Sequence, residues 1–372
     1  MNEKIIKAAD KIWSFLNFPF LKLEGGKKMS GATARFCVNN LTHDTEYIYQ
    51  YFRLEKKCNM KCEYNRMFNQ VGIVIQGQPV LDKDFTVNSA LLYKRFFPGV
   101  KVVVSTWEEE SCEFFDKCEQ AGIDVIKTKT PYERGAGNLN CQLISSARGI
   151  QYLKEKGVKY VAKTRTDQRF NWCGWLNYLL TLLNIFPTNG DKQRMRLIFM
   201  ESNGTYKYIA FHVCDFFSFG TIEDMEKFYS IPLDARPNEF FVQNDSAIGQ
   251  LKESLFEYEN REYFSEIPYE KYGEELLKLS MAEFYILYTY VYNCIDKNLA
   301  TDNLLLRYWQ YMRNYAVIVD SFQLQFYWIK YRRKYELQSK NDKDGKLDFA
   351  EWLMLYSCED KLFSQTDDVE EC

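Results

Sequence analysis

Between Val71 and Gln168 the sequence alternates between short apolar runs and longer amphipathic stretches. The apolar runs are VGIVIQG, VKVVVSTW, IDVIKTK and VKYVAKTRTDQ. Runs of this length, bounded by glycine and proline, are typical of strands buried on both faces, and the stretches between them have helical spacing. The alternation predicts an α/β fold with a mostly parallel sheet and helices packed on it.

The regions on either side of this alternation have different patterns. Residues 1–69 contain one predicted helix and a mixed, charged segment, and we interpret them as an N-terminal extension. Residues 70–250 carry the alternating strands and helices. Residues 251–372 are rich in tyrosine and have helical spacing, which indicates a helical C-terminal region.

Charge and cysteine content exclude several classes of protein. With 48 basic and 51 acidic residues, the net charge of −3 argues against nucleic acid as a partner, because nucleic-acid binding needs a basic surface. The irregular spacing of the 11 cysteines and the charged start MNEKIIKAAD predict reduced thiols and a cytoplasmic location.

No apolar run reaches the roughly 18 residues of a membrane span. Two aromatic, basic stretches, 5–23 and 304–336, are expected to be helices that pack on the core or contact a membrane surface peripherally.

Polar residues cluster where the predicted strands end. Gln76–Gly77 follow the first strand, Ser105–Trp107 end the second, and Lys163–Arg169 end the fourth. Because ligands bind at the carboxyl ends of the strands in such sheets, we expect these residues to meet at one ligand-binding edge. The alternative for Asp167 and its neighbouring arginines is a structural ion pair.

Several common nucleotide-binding and catalytic motifs are absent from the sequence, which limits the reactions it can be expected to catalyse. The first strand is followed by QGQP, so the glycine fingerprint of dinucleotide-binding domains is absent, and the sequence has neither a phosphate-binding P-loop nor a serine nucleophile elbow. With only His43 and His212 present, carboxylates are the expected acid–base groups. A single aspartate beside lysine and arginine suits a divalent metal that holds a diphosphate, or a cationic pocket that holds it directly.

Five blocks of the sequence, in this order, resemble the WavE family of bacterial surface-polysaccharide synthesis proteins: VGIVIQG, DFTVNSALLYKRFFPGVKVVVSTWE, NLNCQLISSARGI, YVAKTRTDQRF and CDFFSFGTIEDMEKFYSIP. The resemblance covers residues 70–245. It implies a GT-A-like glycosyltransferase domain that acts in lipopolysaccharide or capsule assembly at the cytoplasmic face of the inner membrane. Its donor would be a nucleotide sugar, with a UDP-sugar as the first candidate, and its acceptor a glycan or glycolipid. Residues 251–372 would then face the acceptor or the membrane.

The resemblance also implies donor-binding residues. Those at the nucleoside would be Gln76, Gly77, Thr106 and Trp107, and those at the base or phosphates Asn140, Gln142 and Arg148. Asp167 takes the place of the Asp-x-Asp motif that binds Mn²⁺ or Mg²⁺, although Thr-Arg-Thr-Asp supplies one carboxylate where that motif has two. The alternative is that Lys163, Arg165 and Arg169 neutralise the diphosphate without a metal.

Transfer to an acceptor hydroxyl with inversion needs a carboxylate as general base. The family pattern has an aspartate before a Phe-Gly turn, which matches Asp215, and a later Pro-Glu pair, which is loosened here to Pro237-Asn238-Glu239. Asp167, Asp215 and Glu239 are therefore the catalytic candidates. Glu223 and Asp224 are expected to stabilise the start of a helix.

Three alternatives to a glycosyltransferase stay open at this point. The first is a non-catalytic sugar-binding or scaffold protein on the same sheet, and the second is an enzyme that processes sugar nucleotides. The third is calcium binding, because KNDKDGKLDFAEWL (340–353) matches much of an EF-hand loop. Lys340 stands at the first ligand position of that loop, so an acidic turn between two helices is the expected structure.

Overall fold

The structure, a computed structural model, describes residues 68–186, 188, 196–201, 205–207, 209–246, 281–295, 304–331, 333–334 and 346–358. All of these residues belong to one compact unit, Tyr64–Cys372. The helix predicted near the N-terminus and the first part of the EF-hand-like segment lie outside the described residues.

The main sheet has seven strands in the order β3-β2-β1-β4-β7-β6-β8. Their bounds are β1 Val71–Gln76, β2 Lys101–Trp107, β3 Asp124–Thr128, β4 Tyr160–Arg165, β6 Leu197–Met200, β7 Ser218–Thr221 and β8 Ala316–Val319. Strands β1 to β4 are parallel, as are β6 and β8, whereas β7 is antiparallel to both of its neighbours. The predicted α/β class, with a mostly parallel sheet, is confirmed.

The described part of the chain has nine α-helices. They are α1 Phe85–Phe96, α2 Cys112–Gln120, α3 Leu139–Glu155, α4 Trp175–Ile185, α5 Ile222–Tyr229, α6 Phe240–Gln243, α7 Ala282–Cys294, α8 Leu304–Tyr315 and α9 Phe349–Ser357. Side-chain caps begin three of them. In α2 the Ser111 hydroxyl accepts from Phe114 N, in α5 the Thr221 hydroxyl accepts from Asp224 N, and the cap of α9 is described below. Asp224 lies in the first turn of α5, where the sequence predicted it. None of the described helices has both the length and the apolar character that crossing a bilayer requires.

Helix α3 packs closely on the sheet because glycines stand at the contact. A Cβ atom on Gly149 would lie 2.5 Å from Cγ1 of Val74, and one on Gly72 would lie 2.6 Å from Cδ1 of Leu153. Side chains at these positions would push the helix away from β1. The close fit places the first turn of α3 beside the carboxyl ends of β1 and β4.

A second, smaller sheet has three antiparallel strands in the order β10-β9-β5. Its strands are β5 Gln168–Phe170, β9 Phe326–Trp328 and β10 Arg333–Lys334. Strand β5 follows β4 after a two-residue turn, whereas β9 comes from the C-terminal region. Strand β9 thus brings the C-terminal region beside β5, just after the carboxyl end of β4.

The prediction of one helix over residues 304–336 is wrong beyond Tyr315. Helix α8 ends there, and the β-branched run of Ala316–Val319 becomes β8, which pairs with β6. Strands from residues 316–328 therefore join sheets built by residues 70–250. The division of the chain at residue 250 stays a prediction.

The described end of the EF-hand-like segment has a structural role. Asp348 is the N-cap of α9 and forms a capping box with Glu351: its carboxylate accepts from Glu351 N, and the Glu351 carboxylate accepts from Asp348 N. These two carboxylates, at the ninth and twelfth positions of the loop pattern, thus begin a helix. Lys207 also pairs with Glu351 at 2.6 Å.

Candidate active site

A cleft of about 1070 Å³ opens where β1, β2 and β4 end. It is lined by residues from 76–82, 107–110, 130–142, 165–167 and 329–330. Gln76 is paired in register with Ser105 of β2 and with Arg165 of β4. The predicted meeting of polar strand ends at one edge is confirmed by this register.

The end of β1 forms the floor of the cleft. Gln76 is 7% exposed, and its Oε1 atom has no hydrogen-bond partner among the described residues. Gly77 has a φ of 114°, and its N–H donates to Ser105 O over 3.0 Å. A Cβ atom at Gly77 would lie 3.4 Å from the Thr166 hydroxyl. The glycine thus lets the chain turn sharply where the strand ends meet, and it leaves a buried amide facing the cleft.

Arg165 and Asp167 form an ion pair at the end of β4. Arg165 Nε donates to Asp167 Oδ1 over 3.0 Å, and Nη2 donates to Oδ2 over 3.2 Å. Trp328 Nε1 of β9 donates to the same Oδ2 over 2.8 Å, and the Arg165 guanidinium lies 5.5 Å from the centre of the Trp328 ring. The Asp167 side chain is 12% exposed and that of Arg165 is 33% exposed. The pair is therefore structurally fixed and still accessible from the cleft.

The Gln168 side chain and one backbone hydrogen bond hold the turn that carries this pair. Gln168 Oε1 accepts from the Thr164 hydroxyl over 3.2 Å and from Arg165 N over 3.3 Å. Ile329 N donates to Asp167 O over 3.1 Å, which ties the turn to the residue after β9. Each of these bonds is buried or half-buried, so the turn is well fixed relative to the second sheet.

Two of the predicted diphosphate ligands are core residues. Arg169 is 4% exposed, donates to the Ser89 hydroxyl (2.9 Å) and to Phe85 O (3.1 Å), and lies under α1. Lys163 is fully buried, with Nζ donating to Asp215 O over 2.9 Å. Burial lowers the pKa of Lys163 to about 7, although the nearby Asp215 carboxylate opposes this shift. These placements correct the prediction that Lys163 and Arg169 face the donor.

The glycine-rich loop before α3 forms another wall, and Asn140 holds it. The Asn140 amide donates to Glu133 O and Asp234 O, both over 2.9 Å, and its oxygen accepts from Asp234 N over 2.7 Å. Asp234 in turn accepts from Ala136 N and pairs with Arg236 at 2.9 Å. Asn140 is 1% exposed, so it supports the loop from behind rather than contacting a donor as predicted.

Four other predicted donor ligands divide into two that line the cleft and two that do not. Trp107 and Gln142 line the cleft. Thr106 is fully buried and Arg148 is exposed on α3, and neither lines the cleft. The polar character of these residues was visible in the sequence, but the direction of each side chain was not.

The two predicted general bases lie outside the cleft lining. Asp215 is half-buried, and its main-chain oxygen accepts from Gln142 Nε2 over 2.7 Å, which places it directly behind a lining residue. Glu239 is exposed at the start of α6. Besides Asp167, the carboxylates that line the cleft are Asp82, Glu109 and Glu110.

Several of the lining residues were not predicted from the sequence. Glu109 and Glu110 stand two and three residues after the end of β2, so the strand-end rule that identified Trp107 would have included them. Burial raises the pKa of Glu110, and hydrogen bonds from its own N–H and from Thr130 lower the pKa of Glu109. Lys330 had no such signal, because β9 brings it to the cleft from a distant part of the chain.

The residues at the expected metal position do not fit a divalent ion. Asp167 supplies one carboxylate, and both of its oxygens already accept hydrogen bonds, two of them from a guanidinium. A cation on either oxygen would lie beside the Arg165 charge. Within the described ranges, no three His, Cys, Asp or Glu side chains are grouped so as to hold a metal ion.

The solved structures that this chain matches have sequence identities and TM-scores too low for residue roles to be inferred from them. They include a 4-diphosphocytidyl-2C-methyl-D-erythritol synthase from Anaerococcus prevotii, with 10% identity, coverage of 47% of this chain and 83% of that chain, and a TM-score of 0.30. The mannosyltransferase PcManGT from Pyrobaculum calidifontis, solved with GDP-Man and Mn²⁺, has 8% identity, coverage of 64% and 77%, and a TM-score of 0.30. TarS 1–349 from S. aureus has 8% identity, coverage of 66% and 79%, and a TM-score of 0.30.

Sequence comparison gives the firmer result. No curated protein sequence matches the chain. The family model for WavE lipopolysaccharide synthesis matches residues 71–363. This match includes β1, the turn with Arg165 and Asp167, and the C-terminal strand β9 that completes the cleft. The chain therefore belongs to the WavE family of lipopolysaccharide synthesis proteins.

Proposed function

We propose that this protein is a glycosyltransferase that takes a sugar from a nucleotide-sugar donor and transfers it to a growing lipopolysaccharide glycan or glycolipid. The observation that carries the proposal is the cleft at the carboxyl ends of β1, β2 and β4, the edge at which parallel α/β sheets bind ligands. Its volume of about 1070 Å³ suits a ligand of nucleotide-sugar size. The family match supports a role in lipopolysaccharide synthesis.

The polar groups of the cleft suggest how a donor would lie. Gln76 and Trp107 supply an amide and an aromatic ring to the cleft lining, which suits a nucleoside. Arg165 lies at the end of β4, and Lys330 also lines the cleft, so positive charge is available for a diphosphate. We propose a hexosyl donor, with UDP-sugars first in order of testing.

In the proposed reaction an acceptor hydroxyl oxygen attacks the anomeric carbon of the donor. The bond from that carbon to the diphosphate oxygen breaks, the nucleoside diphosphate leaves, and the hydroxyl proton passes to a carboxylate. Asp215 is our first candidate for this base, because it matches the aspartate that precedes the Phe-Gly turn in the family pattern. In this structure it lies behind the lining residue Gln142, so its carboxylate would have to turn toward the cleft when the acceptor binds. Glu110 is the second, because it lines the cleft and its burial raises its pKa, which makes its carboxylate a better proton acceptor.

Thermal denaturation with a panel of UDP-, GDP- and CMP-sugars tests this function. One nucleotide class is expected to raise the melting temperature, since a ligand at 100 times its Kd adds about 2.7 kcal/mol to the free energy of unfolding. Trp107→Ala should remove that stabilisation, whereas Met354→Ala, a change on the exposed side of α9, should retain it. If no member of the panel shifts the transition, the donor proposal is wrong.

Two variants then separate the candidate bases. Asp215→Asn should reduce transfer by at least a hundredfold while donor binding stays unchanged, in keeping with the usual contribution of general base catalysis, roughly 10² to 10⁴. Glu110→Gln should have the same effect if Glu110 is the base. Loss of transfer in neither variant would contradict both assignments.

A further inference from the structure

We infer that the cleft holds the diphosphate of its donor through Arg165 without a divalent metal ion, and that Asp167 and Trp328 position the guanidinium for this purpose. The inference rests on the proposed function and adds to it the means of diphosphate binding. It also gives the C-terminal strand β9 a role in the donor site.

The first support is the set of donors on the Asp167 carboxylate. Arg165 Nε and Nη2 bind its two oxygens at 3.0 and 3.2 Å, and Trp328 Nε1 binds Oδ2 at 2.8 Å. A divalent cation at Asp167 would have to approach an oxygen to about 2.0–2.6 Å and would then lie only a few ångströms from the guanidinium. The arrangement favours a carboxylate that orients a cation of the protein over one that binds an ion from solution.

The second support is the rigidity of this arrangement. Gln168 and Trp328 are cross-strand partners of β5 and β9. The Trp328 ring lies 4.8 Å from the ring of Phe216, and the residue is 6% exposed. Asp167 O accepts from Ile329 N, the residue that follows Trp328. The indole N–H is therefore aimed at Asp167 by packing and pairing that do not depend on a ligand.

The third support is the position of Arg165 relative to the cleft. Its side chain is 33% exposed and lines the cleft, and its charge is held between the Asp167 carboxylate and the Trp328 ring. A guanidinium fixed in this way suits phosphate oxygens, which it binds through parallel N–H groups. Lys330, two residues after Trp328, adds a second positive charge at the cleft.

Isothermal titration calorimetry with UDP and GDP, in EDTA and in Mn²⁺, tests the inference on the full-length protein. One of the two is expected to bind in EDTA, with a Kd that changes by less than about threefold on adding Mn²⁺. Arg165→Gln should weaken that binding at least about tenfold, the usual effect of removing a hydrogen bond to a charged group. Binding that requires Mn²⁺ would overturn the inference and leave the proposed function standing. If neither nucleotide binds under either condition, both fail.

Trp328→Phe tests the positioning role, since it keeps an aromatic ring and removes the N–H. It should weaken binding of the diphosphate several-fold and leave binding of the corresponding nucleoside unchanged, because only Arg165 loses its orientation. Tyr327→Phe, on the same strand, is the matched control, and binding should not change. Trp328→Phe with unaltered diphosphate affinity, or with equal losses for diphosphate and nucleoside, would overturn the positioning role.

Asp167→Asn covers the case in which Trp328→Phe fails to fold. The asparagine oxygen can still accept from the indole, so the fold should be kept, while the charge that holds the guanidinium is lost. Binding in EDTA should persist and become weaker by several-fold. Unaltered diphosphate affinity of this variant in EDTA would contradict the assignment of Asp167 as a positioning residue.

Discussion

The buried lysine at position 163 should make the stability of this protein depend on pH in a specific direction. Lys163 is fully buried, and burial lowers its pKa from an ordinary value of 10.5 to about 7. Between these values the unfolded chain holds a proton that the folded protein has released. Because the unfolded state then binds more protons, the free energy of unfolding rises as the pH increases from about 7.

The size of this effect follows from the pKa. A folded-state pKa of about 7 against an unfolded value of 10.5 gives an increase of about 2 kcal/mol between pH 7 and pH 9. Below pH 7 both states are protonated, so this lysine contributes no further change. The cost of burying the charged form is reduced by the hydrogen bond to Asp215 O and by the ring of Tyr229, which lies 5.4 Å away.

Urea denaturation at several values between pH 7 and pH 9 measures this dependence. Lys163→Met removes the titrating group, so the variant should lack the increase of about 2 kcal/mol that the unaltered protein shows. Lys227→Met, which removes an exposed lysine of α5, should leave the dependence as it is. Equal pH dependence in the unaltered protein and in Lys163→Met would refute the assignment of the low pKa to Lys163.

Three further predictions concern the packing of α3 on the sheet, the loop before α3 and the N-cap of α5. Each is measured by urea denaturation. Gly149→Ala should lower the free energy of unfolding by about 1–3 kcal/mol, since its Cβ would lie 2.5 Å from Val74 Cγ1; an unchanged midpoint would contradict the close packing of α3. Asn140→Ala should cost about 3 kcal/mol because it leaves the buried N–H and C=O of Asp234 without their partners and also removes the bond to Glu133 O, and a loss below 1 kcal/mol would count against its role in the loop. Thr221→Ala should cost about 1 kcal/mol through loss of the α5 cap, and no loss would show that the cap is dispensable.

The sequence is informative about the sheet because its strands are buried on both faces. Apolar runs such as VGIVIQG and VKVVVSTW differ clearly from the amphipathic stretches between them, and parallel topology places their ends at one edge. The strand pattern and the parallel topology together predicted that Gln76, Trp107 and Arg165 lie at the same edge of the sheet, and all three line the cleft.

The completion of the site by β9 was not predictable in the same way. The strand Phe326–Trp328 has three residues and lies in an aromatic stretch whose spacing also fits a helix. Its partner β5 precedes it by more than 150 residues, so no local signal joins Trp328 to Asp167. Short strands held by distant pairing are set by tertiary contacts rather than by periodicity.

Side-chain direction was the other source of error. Lys163 and Arg169 lie in strands β4 and β5 and Asn140 lies in the first turn of α3, and all three were predicted from the sequence to contact the donor. Each is instead buried and bonded to main-chain groups of neighbouring segments. A buried polar side chain needs such partners, and only the folded chain shows whether they are present.

The most direct test of the central claim is a transfer assay with nucleotide sugars and a lipopolysaccharide acceptor preparation, in which the nucleoside diphosphate and the glycosylated acceptor are both measured. We predict release of nucleoside diphosphate that requires the acceptor, equals the sugar transferred, and falls at least about tenfold in Arg165→Gln. Binding of a nucleotide sugar with neither release nor transfer would contradict the claim and indicate a binding protein. Release that does not require the acceptor would indicate an enzyme that processes sugar nucleotides.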